Sequence, residues 1–492
     1  MSNILDWLID LEAIDVSVEQ VSDVKRLDLS SCELEKLHED FGLLTQLYSL
    51  NLSDNQLSDL PTSMSIFENL GFIDLRSNAF ERIPEVLYNI NLKSINLSYN
   101  KIKRMENLPF TIRVLNLSNN EISNVGSEIG GLLELRTFNA SFNHINTVDA
   151  GIMHLSNLEI LNLEGNYLKE IPYCAQNPNL RQLNLSENMI STLPDLSDSE
   201  LERLDISTNQ FESIYLSGME DLEELILDDN PLEELHIEED FAPYLNLFSA
   251  EGCDLEIFPN LGAKKHITSL SLSGNKICEI PESIGEYTVL ETFDIDDNEI
   301  PLLPESFEKL SSLQKLYVKG NPLVKGEEAK ILALDLEYSD LVDLQNVEIT
   351  EAEEKDIKAM NKLLEQLFSL EKDFEYDEEK QTIAFKMLMH NSDATIVVAK
   401  FHGLVVGLST MQQVISTASG GISGVIEDVV VQKTYRKLGI GSRMIDYLSD
   451  IAKEKSYKRL QLVADKNNAK ALHFYMKKGW KTTNLQVMHY TF

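Results

Sequence analysis

The sequence repeats one leucine pattern, which reads LYSLNLSDNQLSDLP at residues 47–61 and LEILNLEGNYLKEIP at residues 158–172. The unit is LxxLxLxxNxL, and asparagine or cysteine fills its N position fourteen times at intervals of 20–23 residues. These positions are Cys32, Asn55, Asn78, Asn100, Asn120, Asn143, Asn166, Asn188, Asn209, Asn230, Cys253, Asn275, Asn298 and Asn321. A period of this length indicates a solenoid, in which each unit buries its leucines against its neighbours. The sequence therefore predicts about fourteen stacked repeats over residues 24–324.

Each LxL segment is predicted to be a short strand. Its two leucines point to one side and the residue between them to the other, so stacked units form one parallel sheet on the concave face. The asparagine lies where the chain turns and can bond backbone groups that no strand partner reaches. Cys32 and Cys253 are expected to be small buried substitutes. The pattern resembles the leucine-rich repeat family, and residues 1–23 and 325–345 are the predicted caps of its open ends.

Charge divides the chain near residue 345. The 492 residues carry a formal net charge of −39 and are 43% hydrophobic, which is typical of a soluble globular composition. Residues 1–345 contain 62 acidic and 22 basic side chains, whereas residues 346–492 contain 19 acidic and 20 basic ones. An acidic protein repels nucleic acid and anionic lipid, so neither is an expected partner. The step predicts a second domain at residues 346–492.

Two features favour a cytoplasmic location. No run of 18 apolar residues is present, and the N-terminal stretch MSNILDWLIDLEAID lacks the basic start of a secretory signal. The four cysteines, Cys32, Cys174, Cys253 and Cys278, are scattered without CxxC spacing. A disulfide framework or a metal site is therefore not expected, and a reducing compartment fits.

An acidic patch is predicted on the concave face of the later repeats. Its members are Glu224, Asp228, Asp229, Glu251, Asp294, Asp296 and Asp297, with Lys315, Tyr317 and Lys319 at its edge. Such a patch suits the docking of a basic protein segment. The alternative, which the sequence favours equally, is that these charges only keep the solenoid soluble.

The second domain is predicted to alternate strands and helices. Predicted strands are Asn346–Ile349, Ala394–Phe401, Leu404–Met411, Val425–Val431, Arg459–Ala464 and Val487–Phe492; predicted helices run to about Phe368, from Gly439 to Lys455 and over Asn468–Lys478. The informative segment is VIEDVVVQKTYRKLGIGSRMI at residues 425–445, where a strand leads into the glycine turn Arg436–Gly441 that opens a helix. The first N–H groups of a helix and its dipole bind phosphate, and residues 429–492 carry 13 basic against 4 acidic side chains. A polyanionic ligand is therefore expected at this turn.

The string RxxGxG, followed by Asn468, Ala471, Phe474-Tyr475 and Gly479-Trp480, resembles the GNAT-type N-acetyltransferase superfamily over residues 346–492. The resemblance implies an α+β domain with a mixed sheet, in which acyl-CoA lies between two splayed parallel strands. The predicted fold class is thus α/β, a leucine-rich-repeat solenoid followed by a GNAT domain.

The same resemblance implies the roles of individual residues. Backbone groups of Val429, Val430 and Val431 would hold the pantetheine and thioester, and Asn468 would contact the cofactor. The diphosphate would be held by the turn and first helical residues, which are Arg436, Lys437, Leu438, Gly439, Ile440, Gly441 and Ser442. Tyr475 would protonate the departing thiolate, and the alternative for Tyr475 is an aromatic ring packed on the core.

The general base is predicted among Glu427 and Asp428. Strand alternation places them on opposite faces, and Glu427 is preferred because it would lie opposite Asp428 and Val430. The alternatives are that either carboxylate is structural or that a water chain removes the proton. Acceptor choice is expected to involve the acidic loop Glu371–Lys380, which holds Asp373, Glu375, Asp377 and Glu378, and the loop Ser416–Ser423. Carboxylates there suit a cationic amine, or they mark a solvated helix end.

Together these features predict an acyl-CoA-dependent N-acyltransferase that uses acetyl-CoA, with repeats that recognise a partner or protein substrate. The acceptor is expected to be a primary amine, which a basic protein segment would supply, and no metal is needed. Two alternatives remain open. The domain acetylates a small amine while the repeats serve another partner, or the chain is a non-catalytic interaction protein that senses CoA.

Overall fold

The structure is a computed structural model that describes residues 4–14, 20–170, 177, 179–192, 194–262, 266–324, 326–327, 330–331, 334, 336, 338–340, 347–369, 376–401, 403–436, 438–462 and 468–483. It divides into two compact units. One comprises Met1–Leu313 with Lys319–Ile331, and the other comprises Gln314–Val318 with Leu332–Phe492. No helix within these ranges is long and apolar enough to cross a membrane.

The first unit is the predicted solenoid. Its parallel sheet contains the three-residue strands Arg26–Asp28, Ser49–Asn51, Phe72–Asp74, Ser94–Asn96, Val114–Asn116, Thr137–Asn139, Ile160–Asn162, Gln182–Asn184, Arg203–Asp205, Glu224–Ile226, Leu247–Ser249, Ser269–Ser271 and Thr292–Asp294. Equivalent residues pair across neighbouring strands, so Leu50 lies opposite Ile73. Each central side chain is buried because its strand turns that side towards the core. The prediction of a leucine-rich-repeat sheet is confirmed.

Short elements complete the repeats. Single-turn 3₁₀ helices cover Val21–Asp23, Glu39–Leu43, Thr62–Ile66, Glu85–Asn89, Ser127–Gly131, Ala150–His154, Glu282–Glu286 and Glu305–Lys309. Two small parallel pairs join Asn124–Val125 to Thr147–Val148 and Ser213–Leu216 to Glu234–Ile237. The α-helix Ile4–Asp10 buries Ile4 and Leu8, and its Trp7 ring lies 6.5 Å from the ring of Phe41 in the first repeat.

The repeated asparagine satisfies the backbone at each turn. The Nδ2 of Asn143 donates to the carbonyls of Leu117, Ala140 and Ser141 at 2.9, 3.1 and 3.2 Å. Its Oδ1 accepts the N–H of Ile122 at 3.0 Å. One buried side chain therefore bonds four backbone groups that strand pairing leaves over, and the same arrangement recurs along the stack.

The two cysteines at the asparagine position differ in burial. Cys253 is fully buried, its Sγ donates to the Leu227 carbonyl at 3.3 Å, and burial raises the pKa of its thiol to about 12. Cys32 is only half-buried, with its Sγ 3.4 Å from the Ser30 carbonyl. Cys253 thus makes part of the contacts that asparagine makes elsewhere, whereas Cys32 is less buried than predicted.

The second unit contains a mixed sheet with helices on both faces. Its elements are β1 (Val347–Glu351), α1 (Ile357–Phe368), α2 (Glu378–Met389), β2 (Ala394–Phe401), β3 (Leu404–Ser416), β4 (Gly421–Val431), α3 (Ile440–Glu454), β5 (Arg459–Leu462) and α4 (Ala469–Lys477). Two 3₁₀ turns cover Glu354–Asp356 and Lys433–Tyr435, and a parallel pair joins Lys315–Tyr317 to Tyr338–Ser339. The sheet order is β1-β2-β3-β4-β5, antiparallel except for β4 and β5.

Two apolar clusters hold the helices against this sheet. On one face Met444, Ile445 and Leu448 of α3 pack against strand residues such as Val397 and Ile426. On the other face the core residues are Met360, Leu364, Phe385, Ile396, Leu408 and Val430, which come from α1, α2 and the central strands. The predicted mixed α+β domain is confirmed.

Helix α2 was not predicted, because the clustered carboxylates of Glu371–Lys380 indicated an acidic loop. The Oδ1 of Asp377 accepts the N–H groups of Glu379 and Lys380, so Asp377 and Glu378 begin this helix. Asp373 and Glu375, like the predicted strand Val487–Phe492, lie outside the described residues. The predicted loop Ser416–Ser423 is a tight hairpin, because only residues 417–420 connect β3 to β4.

Candidate active site

The parallel pairing of β4 and β5 covers only the first half of β4. Ser423–Ile426 pairs with Arg459–Leu462, and β4 then continues through Val431 with β3 on its other side. Within the described ranges, β5 ends at Leu462. In the described part of the chain, the residues of β5 that pair with β4 therefore stop short of Glu427–Val431, which pairs with β3 along its other edge.

A β-bulge lies at the start of this segment of β4. Leu408 pairs with Val430 and Thr410 with Glu427, so three steps along β4 oppose two along β3. Asp428 adopts a positive φ of 52°, which aspartate tolerates better than most residues. The hydroxyl of Thr410 donates to the Glu427 carbonyl at 3.0 Å and lies 3.3 Å from the Asp428 carboxylate. Bulges of this kind redirect side chains beside active sites.

The bulge corrects the alternation argument for Glu427. Ile426 packs towards α3, and after the extra residue Val429 and Val431 join the same face. Val430 faces α1 and packs beside Leu408. Because Glu427 pairs with Thr410, which shares a face with Leu408, Glu427 lies on the same side as Val430. The prediction that Glu427 lies opposite Val430 is wrong.

Glu427 is exposed on the α1 face of the sheet. Its Oε2 accepts a hydrogen bond from Nε2 of Gln412 at 3.3 Å. Asp428 is half-buried, and its contact with Thr410 lies within the bulge. Glu427 is therefore the accessible carboxylate of the pair.

Helix α3 begins without a side-chain cap. Gly439 takes the left-handed conformation with φ of 84°, and no side chain of the described residues caps the first N–H groups. Ile440 is buried and Leu438 packs beside it, which fixes the turn on the core. The N–H groups of the first turn have no acceptor inside a helix, so they form a ready anion site.

The basic residues of the turn are placed differently from one another. Nε of Arg436 donates to the Val431 carbonyl at 2.8 Å, so this side chain folds back onto the end of β4. Lys437 lies outside the described residues. Lys478, which the sequence analysis missed, donates from Nζ to Oγ of Ser442 at 2.6 Å and contacts Asp446 at 2.8 Å. No local signal could have found this contact, because 36 residues separate Lys478 from Ser442.

Helix α4 carries the remaining predicted residues. The Oδ1 of Asn468 accepts the N–H of Ala471 at 3.0 Å and caps the helix. The ring of Tyr475 is half-buried on the α3 face, 5.0 Å from Phe474 and 6.1 Å from Trp480. Gly479 ends the helix with a positive φ, and the Trp480 N–H bonds the Tyr475 carbonyl at 3.1 Å. Tyr475 therefore has a packed ring, and its catalytic role stays a prediction.

The acidic patch of the solenoid is partly engaged in local structure. Asp228 accepts from the Ser249 hydroxyl at 2.6 Å and the Glu251 N–H at 2.8 Å, and burial raises the pKa of Asp228. Glu224 pairs with Arg203 at 2.6 Å, and Asp294 accepts the N–H of Asp296. In the described part of the chain, no cluster of three or more His, Cys, Asp or Glu side chains is arranged to hold a metal ion.

Comparisons with known families agree with this division of the chain. A family model described as the acetyltransferase (GNAT) family matches residues 358–480. Models described as leucine rich repeat match residues 88–103, 109–128, 156–198 and 265–323. The chain therefore combines leucine-rich repeats with a GNAT acetyltransferase domain, and both predicted resemblances are confirmed.

Individual relatives resemble parts of the chain. An internalin from Listeria monocytogenes is 17% identical, with a TM-score of 0.52 over 69% of this chain and 94% of that chain, which shows the solenoid fold. A possible acetyltransferase from Clostridium difficile 630 is 22% identical over 30% of this chain and 97% of that chain, with a TM-score of 0.28. Toll-like receptor 2 type-2 from Gallus gallus is 30% identical over 42% of this chain and 23% of its own length. The matched stretches span only 11–23% of the first three curated relatives.

Proposed function

We propose that this protein is an acyl-CoA-dependent N-acyltransferase that moves an acetyl group from acetyl-CoA to a primary amine. The family match to residues 358–480 supports the reaction class. The observation that carries the proposal is the bulged end of β4, Glu427–Val431, which leads through a short turn to the start of α3, where no described side chain caps the helix. An extended thioester with a diphosphate at one end needs these two features next to each other.

The donor would bind along this segment. The first N–H groups of α3, from Ile440 to Ser442, would hold the diphosphate, and the helix dipole favours its negative charge. The peptide groups of Val429–Val431 would bond the pantetheine, and the amide nitrogen of Asn468 would contact it. Arg436 would act mainly by holding the end of β4, since its Nε bonds the Val431 carbonyl.

The chemistry requires two proton transfers. The amine nitrogen attacks the thioester carbon, the C–S bond breaks, the amine loses one proton and the departing thiolate gains one. Glu427 is the proposed base because it is the exposed carboxylate beside the bulge. Tyr475 is the proposed acid. They lie on opposite faces of the sheet, so the thioester would have to lie at the edge of β4, beside the bulge, to meet both.

Asp428 takes a different place in this proposal. Its carboxylate lies beside Thr410 within the bulge, and its positive φ is part of the bulge itself. We assign it to holding the bulged segment in shape rather than to removing the proton. It is therefore a positioning residue for the neighbouring Glu427.

The repeats would bring a protein acceptor to this domain. A basic segment that carries a lysine or N-terminal amine suits the acidic solenoid, because residues 1–345 contain 62 acidic and 22 basic side chains. A cytoplasmic location belongs to the same proposal, and imaging of the tagged protein in its own cells tests it.

Binding and turnover are tested on the full chain. Acetyl-CoA should raise the thermal unfolding temperature, because a ligand that binds only the folded state stabilises it. Labelled acetyl-CoA is then incubated with peptide, polyamine and aminosugar panels, and mass spectrometry identifies the acetylated amine. Binding without transfer to any amine would favour a CoA sensor, and no binding would refute the proposal.

The role of the repeats needs a second comparison. Peptide acetylation by the full chain is measured at low and high salt, and against a variant in which Asp229 and Asp297 are changed to asparagine. Recruitment of a basic segment predicts a higher KM at high salt and in the variant, with kcat unchanged. Equal KM values in all cases would instead favour a small amine substrate.

A further inference from the structure

Lys478 lies at the phosphate end of the proposed donor site. Its Nζ donates to the Ser442 Oγ at 2.6 Å, in the first turn of α3, and contacts the Asp446 carboxylate at 2.8 and 3.0 Å. The Lys478 side chain is only 18% exposed, whereas that of Asp446 is 62% exposed. The ammonium is thus held at the helix start and reaches it from a different helix.

This geometry offers side-chain donors to an anion. A lysine ammonium has three N–H donors, which here face the Ser442 oxygen and the two carboxylate oxygens of the exposed Asp446, so an anion would displace a contact with Asp446. Because the Ser442 oxygen accepts from Lys478, its own hydroxyl hydrogen is directed elsewhere and can be given to a phosphate oxygen. Lys478 and Ser442 therefore extend the backbone N–H groups of α3 with two side-chain donors, one of them charged.

The lysine is also connected to the proposed acid. Its backbone N–H bonds the carbonyls of Phe474 and Tyr475 at 3.3 and 3.0 Å, in the last turn of α4. A shift of the Lys478 side chain at α3 would therefore also shift the last turn of α4, which carries Tyr475.

We propose that Lys478, with the Ser442 hydroxyl, binds the diphosphate of the acyl-CoA donor and that this contact positions Tyr475 for proton transfer. The inference rests on the proposed function, since it names a further residue of the same donor site. It makes Lys478 a binding residue for the diphosphate and a positioning residue for the reaction. The competing role is a purely structural tie between α3 and α4 through Asp446.

The test compares Lys478→Met with Lys477→Met, which removes the same charge from the adjacent exposed position. Calorimetry measures the Kd values of CoA, dephospho-CoA and pantetheine, which carry respectively all phosphates, the diphosphate alone and none. Lys478→Met should raise the Kd values of CoA and dephospho-CoA by about 10- to 100-fold and leave the Kd of pantetheine unchanged, because a charge-assisted hydrogen bond is lost. Lys477→Met should leave all three unchanged.

Turnover supplies the second readout. With acetyl-CoA at saturation, kcat should fall in Lys478→Met and recover partly in Lys478→Arg. With S-acetyl-pantetheine, the variant and the wild type should react equally slowly, because this substrate has no diphosphate for Lys478 to bind.

The outcomes separate this inference from the proposed function. If wild-type protein binds no CoA, the donor site itself is refuted. If wild-type binds CoA and Lys478→Met binds it equally well, only the role of Lys478 fails. If Lys478→Met has a lower unfolding temperature but an unchanged ratio of CoA to pantetheine affinity, Lys478 is only a structural tie. If the variant loses affinity for CoA but not for dephospho-CoA, Lys478 contacts the other phosphate. Either result overturns the inference.

Discussion

The solenoid and the acetyltransferase domain treat their backbone polar groups in opposite ways. In the solenoid, a buried side chain such as Asn143 bonds four backbone groups and leaves the turn satisfied. At the start of α3, Gly439 has no side chain, and the first N–H groups receive no side-chain cap. The first arrangement serves stability, and the second leaves donors for a ligand, so the treatment of backbone donors distinguishes scaffold from site.

The largest expected effect is chemical. Changing Tyr475 to Phe should lower kcat by about a thousandfold while acetyl-CoA binding is kept, because a positioned acid contributes a factor of that order. The matched control is Tyr447→Phe, since Tyr447 packs on the same apolar cluster. Steady-state turnover and calorimetry measure the two quantities. Full turnover by Tyr475→Phe would leave this tyrosine with a packing role only.

The second effect is on the stability of the solenoid. Asn143→Ala should cost about 3 kcal/mol, because several buried backbone groups lose their partner. Asn116→Ala should cost less, since its half-buried side chain is bonded to the Ser118 N–H. The chain has two tryptophans, Trp7 and Trp480. In a Trp480→Phe background, urea unfolding followed by Trp7 fluorescence reports on the solenoid, and equal costs for the two asparagines would break the comparison.

A third, smaller effect concerns the two glycines of the turn. A Cβ at Gly439 would meet nothing within 4 Å, so Gly439→Ala costs only its left-handed conformation, about 1–2 kcal/mol. A Cβ at Gly441 would make ordinary 3.8 Å contacts with Phe474 and Val431, so Gly441→Ala should fold with unchanged stability. Thermal unfolding of the ligand-free chain compares them. If both alanines cost the same, the left-handed turn is not what limits this position.

The smallest effect is a pH dependence of the solenoid. Burial raises the pKa of the Cys253 thiol from 9.0 to about 12, so the unfolded chain loses this proton first as the pH rises. The stabilisation from the neutral buried thiol is complete below pH 9 and is lost between pH 9 and 12. Between pH 9 and pH 10 the free energy of unfolding should therefore fall by about 1 kcal/mol more in the wild type than in Cys253→Ala. Parallel urea curves at the two pH values check this, and identical losses would contradict the buried thiol.

The sequence predicts regular features well and single insertions poorly. The asparagine spacing predicts the strands and turns of the solenoid, because each repeat solves the same local problem. The prediction from strand alternation was wrong at Glu427, because the bulge adds one residue and no residue type in the segment indicates it. Helix α2 was missed since Ile383 and Met387 are exposed on it while Phe385 is buried, which blurs a helical pattern. The contact of Lys478 with Ser442 depends on tertiary packing alone.

The bulge precedes three consecutive valines, Val429–Val431, which fit the sheet in either register. Valine is apolar whichever way it points, so Val429–Val431 would suit the sheet with or without the extra residue. Deleting Asp428 would therefore exchange the two sides of the segment without exposing a hydrophobic group or burying a charge. Such a shortened chain should still fold, yet the peptide groups presented to the thioester would be those now turned towards β3. Loss of this one residue would thus abolish the proposed activity while preserving the architecture of the domain.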